Sequence, residues 1–358
     1  MKPLLRSLVP EQLDEIDALK DVPPFRARQV CEWIFSHGIF QWDSMSNLPK
    51  PLRTNLAENF DLCSLKLETR QVSNDGTRKF LFKLRDGQTV ESVIIPMGDH
   101  ATFCISSQVG CAMACSFCAT ARGGLVRQLE AGEIVEQVLM LHQNMKQEPY
   151  SGYGDKLPNV VFMGMGEPLD NWANVEQSLK IMMHRQGLNM SRRRIQISTS
   201  GPKEGLISLI ESNPGVGLTL SLGGTTDSAR KKIMPVPGRT SVLDAVNLTS
   251  SYARQNSRTA TLAWVLIDQQ TDSLEQAAQL AALALRGPLK VNLIPMNQLD
   301  DGKLEPSSQV RIMAFQKVLT DKGVPTFIRA SGGQDIAAAC GQLRRQRQAK
   351  GAVEPPSG

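Results

Sequence analysis

Three cysteines with close spacing are the residues in this sequence that best indicate a specific chemistry. Cys111, Cys115 and Cys118 form the pattern C-x3-C-x2-C within the stretch CISSQVGCAMACSFCATARGG. This spacing favours one [4Fe–4S] cluster, because a short loop brings soft thiolate ligands to adjacent corners of a cube. Three ligands leave one iron open, and that iron is able to chelate the amino and carboxylate groups of S-adenosylmethionine (SAM) and to reduce its sulfonium.

A structural zinc ion and a disulfide framework are the two alternatives for these cysteines. Structural zinc usually takes four protein ligands, and His100 and His142 do not stand at zinc-finger spacing from the cysteines. The chain has seven cysteines, an odd number, and its first residues contain no secretory signal. The pattern therefore favours the cluster over both alternatives.

The composition predicts a cytoplasmic globular protein. The 358 residues are 41% hydrophobic, and no apolar run approaches the ~20 residues that a membrane span needs. The net charge is +5, and basic residues form runs that suit a polyanion such as RNA, although such runs are also typical of an ordinary solvated surface. These runs are Arg192–Arg194, Arg230–Lys232, and Arg344, Arg345 and Arg347.

The order of the predicted elements divides the chain into four parts. Residues 1–70 have apolar residues at helical spacing, and residues 71–97 alternate as a β-hairpin that turns at Asp86–Gly87. Residues 98–331 alternate between strands and helices, which predicts an α/β domain with a parallel sheet. Residues 332–358 form a C-terminal segment with a basic tail, predicted to be disordered beyond about residue 348.

Polar and sulfur-containing residues follow the predicted parallel strands at the point where each strand ends. The seven candidate strands are ATFCISS, NVVFMG, RIQISTS, VGLTLSL, TATLAWVLI, LKVNLIP and PTFIRAS. The cluster loop follows the first strand and GMGEP the second, whereas Ser198, Ser221, Asn297 and Cys340 stand at or after later ones. Because carboxyl ends of parallel strands meet at one face, we expect these residues to share a site there.

Five motifs in a fixed order resemble those of one known family. They are CISSQVGCAMACSFC, GMGEP, ISTSG, VNLIPMN and AACGQL, and the resemblance that they indicate covers about residues 20–343. The chain resembles the RlmN/Cfr family, radical-SAM enzymes that methylate adenosine carbons in RNA. The resemblance implies a partial (β/α)6 barrel, a [4Fe–4S] cluster and SAM. It also implies that the N-terminal helical part is an accessory domain that touches RNA, through the segment FRARQV with Arg26 and Arg28. A doubly wound sheet has a similar sequence pattern.

The resemblance implies a role for each further residue. Cys340 would take a methyl group from one SAM, and a radical made from a second SAM would take hydrogen from that methyl group, which then adds to adenine. Glu91 would be the base, because it stands thirteen positions before Cys104, and Cys104 would attack the Cys340 sulfur to release the product as a disulfide forms. The implied SAM-contacting residues are Gly166, Glu167, Ser198, Ser221, Leu222, Gly223 and Asn297.

The chain departs from the family pattern at two places, which bear on the substrate rather than on the radical chemistry. The family usually has Ser-Leu-His where this chain has Ser221, Leu222 and Gly223, so one side-chain contact is lost. The segment after the cluster usually reads Gly-Phe-x-Arg-Asn-Leu, and here it reads GLVRQL over residues 124–129. Without the resemblance, Cys104 and Cys340 are also typical of buried structural cysteines.

The expected function is methylation of an adenosine ring carbon, carbon 2, in ribosomal RNA and also transfer RNA. The expected partners are that RNA and an electron donor such as flavodoxin or ferredoxin, whereas the oligomeric state is not defined by the sequence. The alternatives are a relative that acts on carbon 8 or on transfer RNA only, a non-catalytic RNA-binding paralogue, and an electron-transfer protein. A binding protein needs none of Glu91, Cys104 and Cys340, and an electron-transfer ferredoxin would need a fourth cluster ligand.

Overall fold

A mixed ten-stranded sheet organises the computed structural model, which describes residues 1–343 except 152, 154–157, 237–239, 300–301 and 330. The basic tail predicted to be disordered falls within residues 344–358, outside the described part. The strands are β1 Leu65–Val72, β2 Arg78–Leu84, β3 Thr89–Met97, β4 His100–Cys104, β5 Gln108–Gly110, β6 Leu125–Gln128, β7 Asn159–Phe162, β8 Ile195–Thr199, β9 Gly217–Ser221, β10 Ala260–Leu266, β11 Leu289–Pro295 and β12 Thr326–Ile328.

Helices cover this sheet and build the N-terminal region. They are α1 Pro10–Leu13, α2 Asp17–Lys20, α3 Phe25–Cys31, α4 Lys50–Asn59, α5 Ala119–Arg122, α6 Ala131–Gln147, α7 Trp172–Met183, α8 Lys203–Ser212, α9 Asp227–Ile233, α10 Val242–Gln255, α11 Leu274–Ala284 and α12 Gln309–Asp321. A π-helical turn, Glu32–Ser36, continues α3. Within the described ranges, no helix is long and apolar enough to span a bilayer.

The sheet changes from antiparallel to parallel at β4. Its order is β1-β2-β3-β4-β7-β8-β9-β10-β11-β12, with β1 to β4 paired antiparallel and every later neighbour paired parallel. Strands β5 and β6 form a separate two-stranded sheet. Each of the seven strands predicted for residues 98–331 is present, which confirms the α/β class with a mostly parallel sheet.

Local sequence explains where the covering helices begin. Ser241, Ser273 and Ser308 precede α10, α11 and α12, and each side chain accepts a hydrogen bond from a backbone N–H of the first turn. The helices then bury apolar residues against the strands; β10 is almost wholly buried, and Trp264 within it is fully enclosed. The hairpin prediction is also confirmed, because Gly87 adopts a φ of +80° between β2 and β3.

The prediction of helix up to residue 70 was wrong over its last part. Residues 65–72 form β1, which pairs with β2 along its whole length and leaves nearly every side chain exposed. A strand at a sheet edge needs only one neighbour and no apolar face, so its sequence gives little sign of it. The four domain boundaries themselves remain predictions.

A buried ion pair joins the N-terminal helical region to the sheet-covering helix α6. The Arg6 guanidinium is fully buried, donates to the carbonyl oxygens of Leu62, Ile34 and Ile39, and lies 3.9 Å from the Glu136 carboxylate. Glu136 in turn accepts bonds from the backbone and hydroxyl of Ser64 at 2.8 and 2.5 Å. This network fixes the helical region against the barrel-like domain.

A second set of polar contacts ties the C-terminal segment to the turn between β1 and β2. The Asp75 carboxylate accepts from the Gly333 backbone at 2.8 Å, and the Ser73 hydroxyl donates to Asp335 at 2.5 Å. We call these four residues the latch. The latch holds the segment that carries Cys340 beside the sheet.

Candidate functional site

A cavity of about 170 Å³ lies at the carboxyl ends of the parallel strands, and we call it the inner cavity. The three clustered cysteines line one side of it, and the ends of β7 to β11 line the other. The sequence-predicted residues among its lining are Cys111, Cys115, Cys118, Gly166, Glu167, Ser198, Ser221, Asn297 and Cys340. The structure therefore brings together nine of the thirteen residues predicted for the site.

The three cysteines line one cavity and do not converge on the position of a single metal ion. Burial raises the pKa of Cys111 to about 12, and burial raises the pKa of Cys115 well above its usual value, to which Cys118 and Cys111 add. In the described part of the chain, no three His, Cys, Asp or Glu residues are grouped closely enough to hold a single metal ion. One buried and two half-buried thiols around one cavity are the soft donor set that fits an iron–sulfur cluster.

The loop after β7 reaches the inner cavity because of a glycine. Gly166 has a φ of +106°, and a Cβ there would lie 2.6 Å from the Gln108 side chain. Only glycine fits this close approach, so the backbone of Gly166 and Glu167 is presented to the cavity. This loop therefore suits a ligand that binds to the backbone of Gly166 and Glu167.

Each oxygen of the Glu167 carboxylate accepts two hydrogen bonds from the protein. One oxygen accepts from the Leu169 N–H at 3.0 Å and the Thr199 hydroxyl at 2.7 Å, and the other accepts from the backbone and hydroxyl of Ser200, both at 2.7 Å. Burial raises the pKa of Glu167, and these hydrogen bonds oppose that rise. Since a carboxylate has about four acceptor positions, a direct contact with a ligand amino group would have to share one of them.

Leu222 and Gly223 do not reach the wall of the inner cavity. Leu222 is fully buried, and its N–H donates to the carbonyl oxygen of Ala263. A Cβ on Gly223 would lie 2.3 Å from the Met234 sulfur, and Met234 does line the cavity. The thioether of Met234 thus lies in the space that a side chain at position 223 would enter.

A second cavity of about 410 Å³, the outer cavity, adjoins the first. Its lining comes from β3, β4, the end of β7, β11, β12 and the C-terminal segment, so the first and last strands of the parallel part converge here. Five residues line both cavities and form the wall between them: Met163, Asn292, Arg329, Cys340 and Leu343. Cys340 therefore faces both spaces.

Cys104 lines the outer cavity beside Cys340. Burial raises the pKa of Cys104 to about 12, the Cys340 sulfur adds to this rise, and the Arg329 guanidinium opposes it. No disulfide joins the cysteines of the described residues; each of these two has a free thiol. Cys104 is thus both a buried strand residue and a cavity residue.

Glu91 lies outside the lining of both cavities but on the same face of the sheet as Cys104. Val93 in β3 stands directly opposite Cys104 in β4, and Glu91 is two residues earlier on that strand. Its carboxylate is buried, with the Lys79 ammonium 3.5 Å away. Lys79 also donates to the carbonyl oxygen of Ala337, which connects this pair to the segment that carries Cys340.

The Cys340 segment is fixed by contacts with the cluster loop. The Ala119 N–H donates to the Gly341 carbonyl and the Thr120 hydroxyl to the Leu343 carbonyl, both at 2.6 Å. The Asn297 amide donates to the Cys340 carbonyl at 3.0 Å and accepts from Gln334. Asn297, predicted to contact SAM, thus positions the Cys340 backbone as well.

Sequence reasoning missed two arginines near the site. Arg329 was not selected, although it follows the last predicted strand and lies on the wall between the cavities. Arg230 was assigned to a basic surface run, and this was wrong: its side chain is fully buried, whereas Lys231 and Lys232 are exposed. Arg26 is half-buried and bonded to Gln29 and Asn47, and Arg28 is exposed.

The sequence matches two known domain families. Residues 105–281 match the radical SAM superfamily, and residues 5–62 match the ribosomal RNA large subunit methyltransferase N-terminal domain. A probable dual-specificity RNA methyltransferase RlmN of Thermotoga neapolitana is 41% identical over 97% of this chain and 99% of its own length. The dual-specificity RNA methyltransferase RlmN of Paracoccus denitrificans is 40% identical over 95% of this chain and 89% of its own length.

The chain belongs to the RlmN family. It is a radical-SAM methyltransferase, and its fold agrees with this assignment. The crystal structure of a radical SAM methyltransferase from Sphaerobacter thermophilus superposes with a TM-score of 0.90, at 36% identity, over 95% of this chain and 99% of that one. The RlmN resemblance predicted from five motifs is thereby confirmed.

Proposed function

We propose that this protein transfers a methyl group to carbon 2 of an adenine in ribosomal RNA and in transfer RNA, with Cys340 as the methyl carrier. The observation that supports this most directly is the position of Cys340 on the wall shared by the inner and outer cavities. A residue there can receive a group on one side and deliver it on the other. The names of the relatives, dual-specificity RNA methyltransferases, support RNA as the substrate.

The residues of the inner cavity fit a [4Fe–4S] cluster and SAM. Cys111, Cys115 and Cys118 would hold the cluster, and the backbone at Gly166 and Glu167 would bind SAM. Together the cluster and SAM would supply a radical that takes hydrogen from a methyl group. Ser198, Ser221 and Asn297 offer hydroxyl and amide groups around the same space. Gly223 would act only through Met234, and Leu222 only through Ala263, a cavity residue whose carbonyl accepts the Leu222 N–H.

The outer cavity fits the reacting adenine. Its wall combines apolar side chains with the Phe327 ring, which is 56% exposed. An aromatic face and an apolar pocket suit a base that has left its stack, because stacking replaces the contacts the base has lost. The resemblance assigns the ring proton to Glu91, which lies on the face of the sheet that carries Cys104 but outside the cavity lining.

Cys104 would release the methylated base from Cys340. Its thiolate attacks the Cys340 sulfur, and an S–S bond forms as the bond from that sulfur to the transferred carbon breaks. The unpaired electron of the adenine adduct would have to leave before this step, and the oxidised cluster is the one-electron acceptor that the proposed site would supply. The electron pair of the broken bond then stays on the carbon, which takes a proton and becomes the methyl group. An external reductant, of the flavodoxin or ferredoxin class, would then be needed to reopen the disulfide and to supply electrons to the cluster. These thiols and the cluster suit a reducing compartment such as the cytoplasm.

Mass analysis of nucleosides tests this proposal. Ribosomal and transfer RNA that lack adenine methylation would each be incubated with reconstituted enzyme, SAM and a reductant, and then digested. We expect 2-methyladenosine from both RNAs. Formation of 8-methyladenosine, or product from transfer RNA alone, would replace the assignment with one of the two related activities. Binding of RNA without any methylated nucleoside would indicate a non-catalytic RNA-binding protein instead.

A further inference from the structure

Among the described residues, Arg230 has a fully buried guanidinium that forms no ion pair within 4 Å. Its side chain is 0% exposed, and one guanidinium nitrogen donates to the carbonyl oxygen of Ser200. Among the described residues, the Nε and Nη1 atoms have no hydrogen-bond partner. A buried guanidinium with two unpaired donors is strongly unfavourable, so an anion beside it would stabilise it.

The polypeptide around Arg230 does not offer that anion directly. Asp227, on the same helix, accepts a hydrogen bond from the Val242 backbone at 2.7 Å instead. The fully buried arginine Arg6 provides the contrast, because three backbone carbonyls and the Glu136 carboxylate surround its guanidinium. The two arginines are equally buried, and only one has its charge compensated by the chain.

The position of Arg230 is behind the wall of the inner cavity, next to the cysteine loop. Ser200, which binds Arg230 through its carbonyl, binds Glu167 through its hydroxyl, and both residues line the cavity. The last residue of the same helix, Ile233, accepts from the Ser116 N–H at 3.0 Å, directly beside Cys115. Burial lowers the pKa of Arg230, and Asp227, Cys115 and Glu167 oppose this change.

We propose that Arg230 is the buried counter-charge of the iron–sulfur cluster held by Cys111, Cys115 and Cys118. This inference rests on the cluster assignment in the proposed function. A cluster with three thiolate ligands carries a net negative charge that increases when the cluster accepts an electron. A fixed cation in a low-dielectric position therefore favours the reduced state more than the oxidised state, and raises the reduction potential.

The first test compares cluster-free proteins by urea unfolding. In Arg230→Met the uncompensated charge is gone, and the side chain keeps a similar length, so we expect an unfolding midpoint above that of the wild type. In the matched control, Arg6→Met, removal of one partner leaves Glu136 buried and unpaired, so the midpoint should fall. If Arg230→Met loses stability as Arg6→Met does, or fails to fold, Arg230 is an ordinary structural residue and the inference is overturned.

The second test measures the midpoint potential of the reconstituted cluster, without SAM, by an EPR-monitored titration. Arg230→Met should shift the reduction equilibrium about tenfold towards the oxidised cluster, which is about 59 mV for a one-electron couple. Arg230→Lys should have a midpoint potential close to that of the wild type because it keeps the positive charge. Arg6→Met should match the wild type. Weaker SAM binding with an unchanged potential would overturn the inference, because it would assign Arg230 to the SAM carboxylate. A wild-type protein that binds zinc and no iron would instead refute the proposed function.

Discussion

Substitution of Gly341 tests how closely the methyl-carrier segment must approach the cluster loop. Gly341 follows Cys340, has a φ of +83°, and a Cβ there would lie 2.8 Å from the backbone oxygen of Phe117. Gly323 offers a matched control, because its φ is +81° and a Cβ there would meet nothing within 4 Å. Alanine at either position costs roughly 1–2 kcal/mol of backbone strain, and only Gly341→Ala adds a collision.

The expected loss in the rate of methyl transfer follows from the collision with the Phe117 backbone oxygen. Ordinary van der Waals contact begins at 3.4 Å, so the two backbones must separate by 3.4 − 2.8 = 0.6 Å. Because a misplacement of about 1 Å costs roughly 100-fold in rate, we expect Gly341→Ala to slow methyl transfer to Cys340 by about tenfold or more. Gly323→Ala should lower the unfolding midpoint similarly but leave the rate unchanged.

The assay is a single-turnover measurement of labelled methyl groups on Cys340, followed by the same measurement on RNA. Iron content serves as a check that the cluster loop is intact in both variants. Wild-type methyl transfer by Gly341→Ala would refute the requirement for close approach. An equal loss of rate in both variants would show that general strain, rather than the collision, is responsible.

Further predictions concern the sulfur atoms and the base. Cys115→Ala should abolish both bound iron, measured by metal analysis, and radical formation, because it removes a cluster ligand. Glu91→Gln should form S-methylcysteine and stall before product, which mass analysis of the protein and of nucleosides would detect; full turnover would exclude Glu91. Cys104→Ala should accumulate a protein–RNA crosslink on denaturing gels and Cys340→Ala should not; the same behaviour in both would contradict their assigned roles. Finally, the free energy of unfolding should fall as pH rises from about 9 towards 12. Burial raises the pKa of Cys31 to about 12 in the folded chain, so over this range only the unfolded chain loses the Cys31 proton. Cys31→Val should reduce this pH dependence in urea titrations across the same range.

The parallel part of the fold was predictable because strand and helix periods alternate clearly there. Strands such as β10 are continuous apolar runs, and their neighbours are amphipathic segments that begin with serine caps. By contrast, β1 has an exposed, charged sequence that a helix could also adopt, and only its pairing with β2 defines it. Edge strands are therefore the elements that a single sequence defines least.

Site residues were predictable where they belong to a sequence motif. They were not predictable where their burial or contacts depend on tertiary packing. The cysteine triplet needed only local sequence to be recognised, whereas Gly166 was predicted through the family resemblance of GMGEP. The burial of Arg230 depended on how α9 packs behind Ser200, and nothing in the run Arg230–Lys232 distinguishes the buried member from the two exposed lysines. Likewise, the bond from Asn297 to the Cys340 backbone joins residues far apart in sequence.

The latch between Asp75, Ser73, Gly333 and Asp335 makes the site a late product of folding. Its partners are separated by about 260 positions, so we expect them to meet after the intervening strands have paired. The cysteine triplet, in contrast, lies within eight consecutive residues and needs only local structure. A partly folded chain could hold its metal ligands together and still have no thiol in place to receive a methyl group. Reactivity is thus withheld until the first and last parts of the sheet have met.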